Sequence, residues 1–557
     1  MVKNKPYPLY ERENLYNLKS VIQRSAIMNP DCEAFCFEEE GKDVSITYKQ
    51  FKEDIETLGT ALYSFGLKGA YHIAILGENS YQWIVAAFAA TNGSNVFVPI
   101  DKDMPADVIK DLMIKADCNA LIYSDDYHDI VMQIKDSLGD ILIINIKQRY
   151  SGILSFNDLI VRGKELIALG DTAFINNKIS NQALAAIFFT SGTTGINKGV
   201  MLTHRNIATN AIDSLKIMDF GNKSILLLPL HHSFGFTSGV VLMLYLQSCI
   251  CINHSLRYIS QDLKKYQPTH LLLVPLFIEA FYKSVWDTAK KTGKAKLLRL
   301  MVSISKALLA IGIDLRHKLF ASVLDSFGGN LNMIVSGGAF LDFKYVKDFR
   351  AMGIFISNGY GITECSPVVS VNRNYHFRDG TIGRLLPSCE MKIDTDNGSD
   401  EGEILVRGDY TMLGYYKDEQ ATNEVFKDGW FKTGDIGRID KDGFIYITGR
   451  IKNIIILANG ENIHPEEIES SLLDIPFVKE VIVREDTAKK GSRIVLVAEV
   501  FPDYGAAKTQ GIDNLQTHFD KAIATFNRSV ARNKCIQRVI LRETEFMKTS
   551  TKKIKRI

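Results

Sequence analysis

The alternation of strand-like and helix-like segments in the first half of the chain limits the fold more than any other feature. The pattern predicts a strand and a loop for YHIAILGENS, a helix ending at a glycine for SYQWIVAAFAATNG and a strand for NVFVPID. It continues with a helix for DVIKDLMIKAD and a strand for ALIYS. Strands that alternate with helices in this way build parallel sheets, so we expect an α/β fold.

The texture of the sequence changes along the chain, and 557 residues are too many for one core. After about residue 380, short strand-like segments such as EGEILVRG are separated by Gly and Asp turns, which predicts a β-rich subdomain. The last hundred or so residues combine a helix, PEEIESSLLDI, with strands such as KEVIVRE. We therefore expect a large N-terminal domain over 1–449, with parallel-sheet α/β units and the β-rich subdomain, and a small α+β domain over 450–557.

Charge and hydropathy restrict the possible partners. The formal net charge is +2 at pH 7, which gives no general reason to expect nucleic acid as a partner. The N-terminal residues lack the apolar stretch of a secretory signal. The most membrane-like stretch runs from Ile225 to Ile252, but Pro229 and two histidines interrupt it. We expect a buried strand, loop and helix there rather than a membrane span.

The cysteines favour burial over metal or disulfide chemistry. None of the eight forms a Cys-x-x-Cys pair, and Cys249 and Cys251 alternate along one apolar, strand-like run. Alternation places both thiols on one face of a strand, which is typical of simple packing. We expect neither a zinc site nor a disulfide framework, and a reducing cytoplasm fits this usage.

One helical segment is unusually basic. From Lys283 to Leu319 the chain has nine Lys or Arg residues against two Asp residues. Two interpretations stay open: a solvated helical hairpin on the surface, or a peripheral contact between 283–318 and anionic lipid head groups.

The segment FFTSGTTGINKGVMLTHRNI, residues 188–207, combines glycines, hydroxyl side chains and a lysine after an apolar run. It is not a Walker A loop, because Asn197 precedes the lysine and Gly199 follows it. Glycines still permit close backbone approach, successive N–H groups can form an anion nest, and the lysine adds a positive charge. We therefore predict a phosphate-binding loop, with a plain polar turn as the alternative. Its ligand-facing candidates are Thr190, Ser191, Gly192, Thr193, Thr194, Gly195 and Lys198.

This loop and the segments that follow it resemble the acyl-adenylate-forming superfamily, which includes acyl-CoA synthetases, luciferases and the adenylation domains of peptide synthetases. The resemblance covers residues 188–557 and includes, in order, LPLHHSFGF, VSGGAFL, NGYGITECSP, GEILVRG, GWFKTGDIG, GRIKNIIILANGENIHPEEIE and FMKTSTKKIKR. Among members of the superfamily, the chain is most similar to bacterial long-chain fatty acyl-CoA synthetases.

The resemblance implies a reaction in two steps. A carboxylate attacks the α-phosphate of ATP to give an acyl-adenylate and pyrophosphate, and the thiol of CoA then displaces AMP. The first step brings two anions together, so neutralising their charge is the main requirement. The implied cofactors are ATP, Mg²⁺ and CoA.

The resemblance also assigns the nucleotide site. The aromatic ring of Tyr360, followed by Gly361, would stack on adenine, while Thr363 would contact phosphate and Glu364 would hold Mg²⁺. Their segment follows the strand-like FISNGYG, and α/β proteins bind ligands at the carboxyl ends of strands. Small residues would let the ligand pack against backbone, a carboxylate would accept hydrogen bonds from the ribose hydroxyls, and a guanidinium would hold the ribose or the α-phosphate. These residues are Gly337, Gly338, Ala339, Asp435 and Arg450.

The acyl site is expected around HHSFGF. By resemblance, His232 lies near the incoming carboxylate, and Phe234, Phe236 and Gly338 contribute to the acyl pocket. The chain has no charged residue between Phe234 and Cys251, which suits an apolar tail better than an amino acid. Aryl acids stay open as substrates, since they also need an apolar pocket.

The C-terminal domain is expected to supply the catalytic lysine. The usual family pattern is Pro-Lys-Thr-x-x-Gly-Lys; here Met547 replaces the proline and Lys552 the glycine, so Lys553 aligns with the catalytic position. The doubled lysine leaves a solvated basic tail as the alternative. Family members rotate this domain between the two steps, and the resemblance places the hinge at Lys452. It also implies that, after the rotation, Ala458 and Gly460 line a tunnel for CoA.

Four hypotheses for the function follow. The first is a medium- or long-chain fatty acyl-CoA synthetase. The second is a fatty acyl-AMP ligase that loads the phosphopantetheine of an acyl carrier protein, which differs only in the thiol acceptor. The third is a luciferase-like oxidoreductase, since HHSFG also resembles luciferases. The fourth, a nucleotide-binding protein without activity, conflicts with the intact motifs.

Overall fold

The computed structural model describes residues 8–147, 150, 152–191, 197–253, 255–395, 399–456, 462–487, 494–512, 514–548, 554 and 556. The chain forms two compact units, one of Met1–Glu390 with Val406–Phe431 and the other of Met391–Leu405 with Lys432–Ile557. The smaller unit thus includes 391–405 and 432–449, which the sequence places before the expected boundary at residue 450. The domain boundary at residue 450 and the hinge at Lys452 both stay predictions.

The strands are short and distributed along the whole chain. In chain order they are β1 (Glu33–Glu39), β2 (Lys42–Thr47), β3 (His72–Leu76), β4 (Val96–Ile100), β5 (Cys118–Tyr123), β6 (Leu142–Asn145), β7 (Leu154–Ser155), β8 (Leu184–Ser191), β9 (Asn197–Thr203), β10 (Lys223–Leu226), β11 (Cys249–Ile252), β12 (His270–Leu273), β13 (Met333–Ser336), β14 (Phe355–Gly361), β15 (Val368–Val371), β16 (Arg384–Leu385), β17 (Cys389–Asp394), β18 (Gly402–Gly408), β19 (Gly414–Tyr415), β20 (Phe426–Lys427), β21 (Trp430–Ile439), β22 (Ile445–Arg450), β23 (Ile455–Ile456), β24 (Asn462–Ile463), β25 (Val478–Thr487), β26 (Ile494–Pro502) and β27 (Ile536–Leu541).

The α-helices alternate with these strands, as the sequence predicts. They are α1 (Leu18–Met28), α2 (Tyr48–Ser64), α3 (Tyr81–Asn92), α4 (Ala106–Lys115), α5 (His128–Ile134), α6 (Phe156–Ala168), α7 (His204–Ile217), α8 (Leu242–Leu246), α9 (Ile259–Tyr266), α10 (Pro275–Lys291), α11 (Ala295–Ala310), α12 (Arg316–Leu319), α13 (Ala321–Ser326), α14 (Phe343–Met352), α15 (Glu419–Val425), α16 (Pro465–Leu472), α17 (Tyr504–Thr509) and α18 (Leu515–Asn527). Among the described residues, every helix is too short or too polar to cross a lipid bilayer.

Two large sheets form the framework of the larger unit. One has the strand order β16-β15-β14-β13-β12-β10-β11-β1-β2, and the other has the order β19-β9-β8-β4-β3-β5-β6-β7. The central strands of both sheets are parallel, for example β13 with β14 and β3 with β4. The predicted α/β architecture is therefore confirmed.

Helix α3 shows how local sequence sets an element of this core. The hydroxyl of Ser80 accepts a hydrogen bond from the backbone N–H of Trp83 at 3.2 Å and so caps the first turn. The helix ends at Gly93, as the sequence predicts. Eleven of its twelve residues, all but Gln82, are buried, because the helix is apolar around most of its circumference.

The smaller unit has its own core. Strands β25, β26 and β27 form a three-stranded sheet whose apolar face packs with residues of α16 and α18, including Leu472, Phe519 and Ile523. A further sheet has the order β17-β18-β21-β20, with β22 paired to β21. The predicted β-rich subdomain and α+β segment are both present.

The stretch Ile225–Ile252 folds within the protein interior. It contains β10, a π-helix over Phe234–Val241, then α8 and β11. Nearly all of these residues are buried, which agrees with the expected strand, loop and helix. The π-helix starts directly after the two histidines and so shapes the segment that was expected to line an acyl pocket.

Candidate active site

The phosphate loop connects two antiparallel strands. Thr190 on β8 lies opposite Lys198 on β9, and Ser191 lies opposite Asn197. This hairpin brings the lysine of the motif back beside its first hydroxyl residue. The remaining predicted loop residues, Gly192 to Gly195, lie outside the described residues, so their contact with a nucleotide stays a prediction.

Tyr415 connects the lysine of the loop to the carboxylate of the YGITE motif. The Nζ atom of Lys198 lies 4.7 Å from the centre of the Tyr415 ring. The Tyr415 hydroxyl donates a hydrogen bond to Oε1 of Glu364 at 2.9 Å. Burial, reinforced by the charge of Glu364, raises the pKa of Tyr415 far above its usual value, so the phenol stays a donor at neutral pH. Tyr415 was not predicted as a site residue, because the segment GYY is typical of the end of a strand.

The YGITE motif continues from the end of β14. Gly361 is needed there, because a Cβ atom would lie 2.2 Å from the carbonyl oxygen of Pro367. Thr363 then begins a short 3₁₀-helix, and its Oγ1 accepts a hydrogen bond from Oγ of Ser233 at 3.2 Å. This contact joins the YGITE motif to the HHSFGF segment. Ser233 was not predicted as a site residue, although it lies inside a quoted motif.

Two buried polar atoms lie side by side on neighbouring parallel strands, where the pairing of β13 with β14 ends. Ser336 ends β13 and is paired in register with Asn358 on β14. Within the described part of the chain, Oγ of Ser336 and Oδ1 of Asn358 have no hydrogen-bond partner. Buried polar atoms of this kind are usually satisfied, so these two are available to a ligand at the strand ends. They lie in the motifs VSGGAFL and NGYGITECSP, but no residue pattern singles them out.

The small residues after β13 lie beside an aromatic ring. A Cβ atom on Gly337 would come within 3.1 Å of the Phe234 ring. Gly338 has a φ of +83°, a conformation that favours glycine, and Ala339 is exposed. The structure therefore brings together Phe234 and the SGGAF turn, both of which were predicted to line the ligand site.

Phe236 occupies a different environment from the one expected for an open acyl pocket. Its ring is fully buried, and its centre lies 4.7 Å from that of Phe97 and 5.7 Å from that of Phe88. The physical reason is the helical geometry after His232, which directs Phe236 into the aromatic core. Phe236 packs beneath the site, and its contact with an acyl chain stays a prediction.

The paired histidines are held in their neutral form. The ring centres of His231 and His232 lie 4.4 Å apart, and Nε2 of His231 is 3.5 Å from Oδ1 of Asp101. Burial and the neighbouring His231 lower the pKa of His232 to about 3. Burial also lowers the pKa of His231. At neutral pH, His232 is thus an uncharged donor or acceptor.

A narrow apolar cleft lies between β10, β11 and β12 and the π-helix. Its lining includes Leu226, Leu228, Gly239, Ile250 and Leu272. Gly239 contributes by its lack of a side chain, because a Cβ atom there would come within 3.0 Å of Cδ1 of Leu226. The uncharged segment that follows His232 therefore contributes to the lining of this cleft, through Gly239 and Ile250.

Asp435 and Arg450, the two predicted ribose contacts, are paired in the smaller unit. They lie opposite each other on β21 and β22, and Nε of Arg450 is 2.6 Å from Oδ1 of Asp435. The Asp435 side chain is only 3% exposed, whereas that of Arg450 is 44% exposed. Lys452 follows in an exposed 3₁₀-helix, Ile451–Asn453.

The predicted catalytic lysine and CoA tunnel, at Lys553, Ala458 and Gly460, lie outside the described residues. The residues on either side of the lysine segment are held by ion pairs within the smaller unit. Lys548 pairs with Glu480, and Arg556 pairs with Glu469. Both anchors were missed by sequence reasoning, because the tail KTSTKKIKRI shows only a run of basic residues.

Known proteins are similar to this chain in sequence and in fold. Long-chain-fatty-acid–CoA ligase FadD15 of Mycobacterium bovis is 26% identical over 587 aligned residues, which cover 99% of this chain and 96% of that protein. Long-chain-fatty-acid–[acyl-carrier-protein] ligase AEE15 of Arabidopsis thaliana is 29% identical over 539 residues, covering 81% and 72%. The crystal structure of the anthranilate CoA ligase AuaEII with anthranoyl-AMP has the same fold, with a TM-score of 0.77 at 18% identity over 98% of this chain and 96% of that one.

The family itself is established by a sequence profile rather than by any single relative. The profile described as AMP-binding enzyme matches residues 22–416, which include the phosphate loop, the HHSFGF segment, the YGITE motif and Tyr415. This match agrees with the resemblance seen in the sequence motifs, and the chain belongs to the AMP-binding enzyme family.

Proposed function

We propose that this protein activates a medium- or long-chain fatty acid with ATP to give acyl-AMP and pyrophosphate, and then transfers the acyl group to the thiol of CoA. The observation that carries the proposal is the connected set of Lys198, Tyr415 and Glu364 beside an uncharged, apolar segment. The family supports the adenylation step, and relatives such as FadD15 support the fatty acid and CoA.

In the adenylation step, the larger unit would hold the triphosphate and the carboxylate. Lys198 and the phosphate loop would neutralise phosphate charge, and the Thr363 hydroxyl would donate to a phosphate oxygen. The Glu364 carboxylate fits Mg²⁺, since a hard cation prefers oxygen ligands and a carboxylate that accepts one hydrogen bond retains further lone pairs. Bound there, Mg²⁺ would supply positive charge to the phosphates.

Further residues would position the remaining parts of the nucleotide and acid. Tyr360 would stack on adenine, and the unsatisfied atoms of Ser336 and Asn358 would accept or donate hydrogen bonds at the strand ends. Neutral His232 would lie next to the fatty acid carboxylate. Because the histidine is uncharged, it would form no strong ion pair, and the carboxylate would keep its nucleophilicity. In the smaller unit, the Asp435 carboxylate, held by Arg450, would accept from ribose hydroxyls.

The acyl chain would enter the apolar region that begins at Phe234. Support comes from the cleft beside Gly239 and from the absence of charge in the sequence between Phe234 and Cys251. Each buried methylene should contribute roughly 0.8 kcal/mol, which favours longer chains until the pocket is filled.

For the second step, the smaller unit would rotate about Lys452 to replace Lys553 with the segment around Ala458 and Gly460. Lys553 would act in adenylation only, and the glycine would leave space for the pantetheine chain. Lys548 and Arg556, on either side of Lys553 in the sequence, pair with Glu480 and Glu469 of the same unit.

The alternative acceptor is the phosphopantetheine of an acyl carrier protein, which the relative AEE15 favours. A pyrophosphate-release screen over fatty, aryl and amino acids tests the acid, and thioester formation with CoA or with loaded carrier protein tests the acceptor. Preference for acetate, an aryl acid or an amino acid would contradict the proposed substrate. Thioester formation only with the carrier protein would contradict CoA as acceptor.

We also propose that residues 283–318 contact anionic membrane, from which the acid would be taken up. Helix α11 buries Leu298 and Val302, while its outer side exposes Leu297, Leu300 and Ile304. Three more apolar residues and several cations are exposed around them, a combination that favours the head-group region of an anionic bilayer. These residues are Ile311, Ile313, Leu315, Lys296, Arg299 and Lys318.

A further inference from the structure

Three cysteines that are distant in sequence meet in the larger unit. Cys249 and Cys251 lie on the same face of β11, and Cys36 on the neighbouring strand β1 is in register with Cys251. All three side chains are buried. The sequence showed the alternating pair but could not show the third thiol, because more than 200 residues separate Cys36 from the pair.

The three sulfur atoms are arranged as a group. Sγ of Cys36 lies 3.0 Å from Sγ of Cys251 and 3.5 Å from Sγ of Cys249, and all three atoms lie within 4.8 Å of one another. Three thiolates around one ion, at about 2.3 Å each, would be separated by roughly 3.8 Å. The two distances from Cys36, 3.0 and 3.5 Å, are shorter than that value, so side-chain rotations that move the sulfur atoms slightly apart would bring all three onto one metal ion.

A carboxylate lies beside Cys249 on the exposed side of the group, but it is not among the ligand atoms that lie within 4.8 Å of one another. As a fourth ligand it would have to move toward the other two sulfur atoms. Oε2 of Glu33, on the first residue of β1, lies 3.1 Å from Sγ of Cys249. The same carboxylate oxygen lies 3.5 Å from Nζ of Lys223. The lysine would offset part of the negative charge that three thiolates and a carboxylate concentrate at one place.

We propose that Cys36, Cys249, Cys251 and Glu33 form a structural zinc site. Zinc fits the donor set, because it accepts thiolates and carboxylates in tetrahedral geometry, whereas a carboxylate oxygen is a poor ligand for Cu⁺. All four positions would come from the protein, which leaves no open position for catalysis. The site would fasten the β1–β2 hairpin, at the edge of the nine-stranded sheet, to its neighbouring strand β11. The proposal departs from the expectation from sequence that the cysteines are simply packed, and it does not depend on the proposed ligase activity.

The experiment uses the full chain and Co²⁺ as a spectroscopic substitute for zinc. Metal-free protein, prepared under reducing conditions, is titrated with Co²⁺ without oxygen. We expect a thiolate-to-cobalt charge-transfer band in the near ultraviolet, the visible bands of tetrahedral Co²⁺, and their loss when an equimolar amount of Zn²⁺ is added. Elemental analysis of the Zn²⁺-loaded, dialysed protein should give one zinc ion per chain.

Variants assign the ligands. Cys36→Ala, Cys249→Ala and Cys251→Ala should each lose the band of the three-thiolate complex, while Cys389→Ala, at an equally buried cysteine on β17, should retain it. Glu33→Gln is the variant least expected to disturb folding, because its side chain is partly exposed; it should retain the charge-transfer band, change the visible bands and weaken zinc binding. Circular dichroism checks that each variant is folded.

Three results would overturn the proposal. The first is a parent protein that shows no charge-transfer band and retains no zinc, which would leave three hydrogen-bonded thiols. The second is a band that survives in folded Cys36→Ala. The third is a disulfide between Cys36 and Cys251 in protein purified without added oxidant, detected by mass spectrometry.

Discussion

The hydroxyl of Tyr415 donates a 2.9 Å hydrogen bond to Oε1 of Glu364. Because Tyr415 also pairs with β9 through Val200, it holds this carboxylate in place against the strand that carries Lys198. A proposed Mg²⁺ ligand and a proposed phosphate ligand are thus oriented by one aromatic side chain. The arrangement explains how two motifs far apart in sequence can act on one triphosphate.

Replacing Tyr415 with phenylalanine should therefore impair adenylation. The change removes one hydrogen bond to a charged group, worth about 1.5–3 kcal/mol, so the rate of pyrophosphate release should fall roughly ten- to a hundredfold. The Mg²⁺ concentration needed for half-maximal rate should rise. Tyr416→Phe is the control, since its hydroxyl bonds Asp117 at an exposed position. Equal rates for the two variants would show that the Tyr415 hydroxyl has no role in the site.

The two half-reactions should separate at Lys553 and Lys452. Removing a preorganised positive charge costs about 2.7–4 kcal/mol, so Lys553→Ala should slow adenylation roughly a hundred- to a thousandfold. The same variant, given acyl-AMP and CoA, should form thioester near the parent rate. Lys452→Pro restricts the backbone at the hinge, so adenylation should survive and thioester formation should fail.

Lys552→Ala is the matched control for the doubled lysine and should have a mild effect. If Lys552→Ala is the impaired variant, the alignment of the tail is displaced by one residue. If Lys553→Ala slows both half-reactions equally, the rotation of the smaller unit is wrong for this protein.

The length of the acyl chain should depend on Gly239. A leucine at this position would extend from a Cβ atom already 3.0 Å from Leu226 and would fill part of the apolar cleft. In Gly239→Leu, the longest accepted fatty acids should lose activity, by up to about 0.8 kcal/mol for each methylene excluded. Pyrophosphate release over a series of saturated acids measures this, with the shorter acids as internal controls. An unchanged length profile would place the acyl chain elsewhere.

Buried histidines should make the larger unit sensitive to acid. Burial lowers the pKa of His270 to about 3 and that of His204 to about 4. Below pH 6.5 the unfolded chain binds a proton at each site that the folded chain does not, so the free energy of unfolding decreases as pH falls. Each group contributes a loss of about 1.4 kcal/mol per pH unit between about pH 6.5 and its folded pKa.

Thermal unfolding between pH 7.5 and pH 4.5 checks this expectation. His270→Gln keeps a polar side chain next to Thr269 but does not titrate, so its melting temperature should fall less steeply with acid than that of the parent. The slope decides the outcome, because a constant loss of stability from altered packing does not change it. Parallel slopes would mean that His270 titrates with the same pKa in the folded and unfolded states.

Contact with membrane should depend on the exposed apolar side of α11. A double change, Leu300→Glu with Ile304→Glu, should abolish sedimentation with anionic vesicles, because charge would replace the inserted side chains. Binding of the parent should also weaken steeply with added salt. Leu169→Glu, at an 85% exposed leucine beyond α6, is the control and should bind normally. Equal retention on neutral and anionic vesicles would leave the solvated hairpin.

The sequence alone determined the architecture and the family. Hydrophobic periodicity is a local property, so the helix ending at Gly93 and the strands around it could be predicted from neighbouring residues. The phosphate loop and the YGITE motif were recognisable for the same reason: their chemistry lies in consecutive residues. Their order along the chain then identified the acyl-adenylate-forming enzymes.

Tertiary structure decided which distant side chains meet. Tyr415 and Glu364 are 51 residues apart, and Cys36 and Cys251 are 215 residues apart, so no local pattern connects either pair. Tertiary contacts bring them together: the backbone N–H of Met412, just before β19, donates to the carbonyl oxygen of Glu364, and β1 lies beside β11 in the nine-stranded sheet. The same packing buried Phe236 among aromatic rings, because side-chain direction in a folded core depends on neighbours that a linear pattern does not contain.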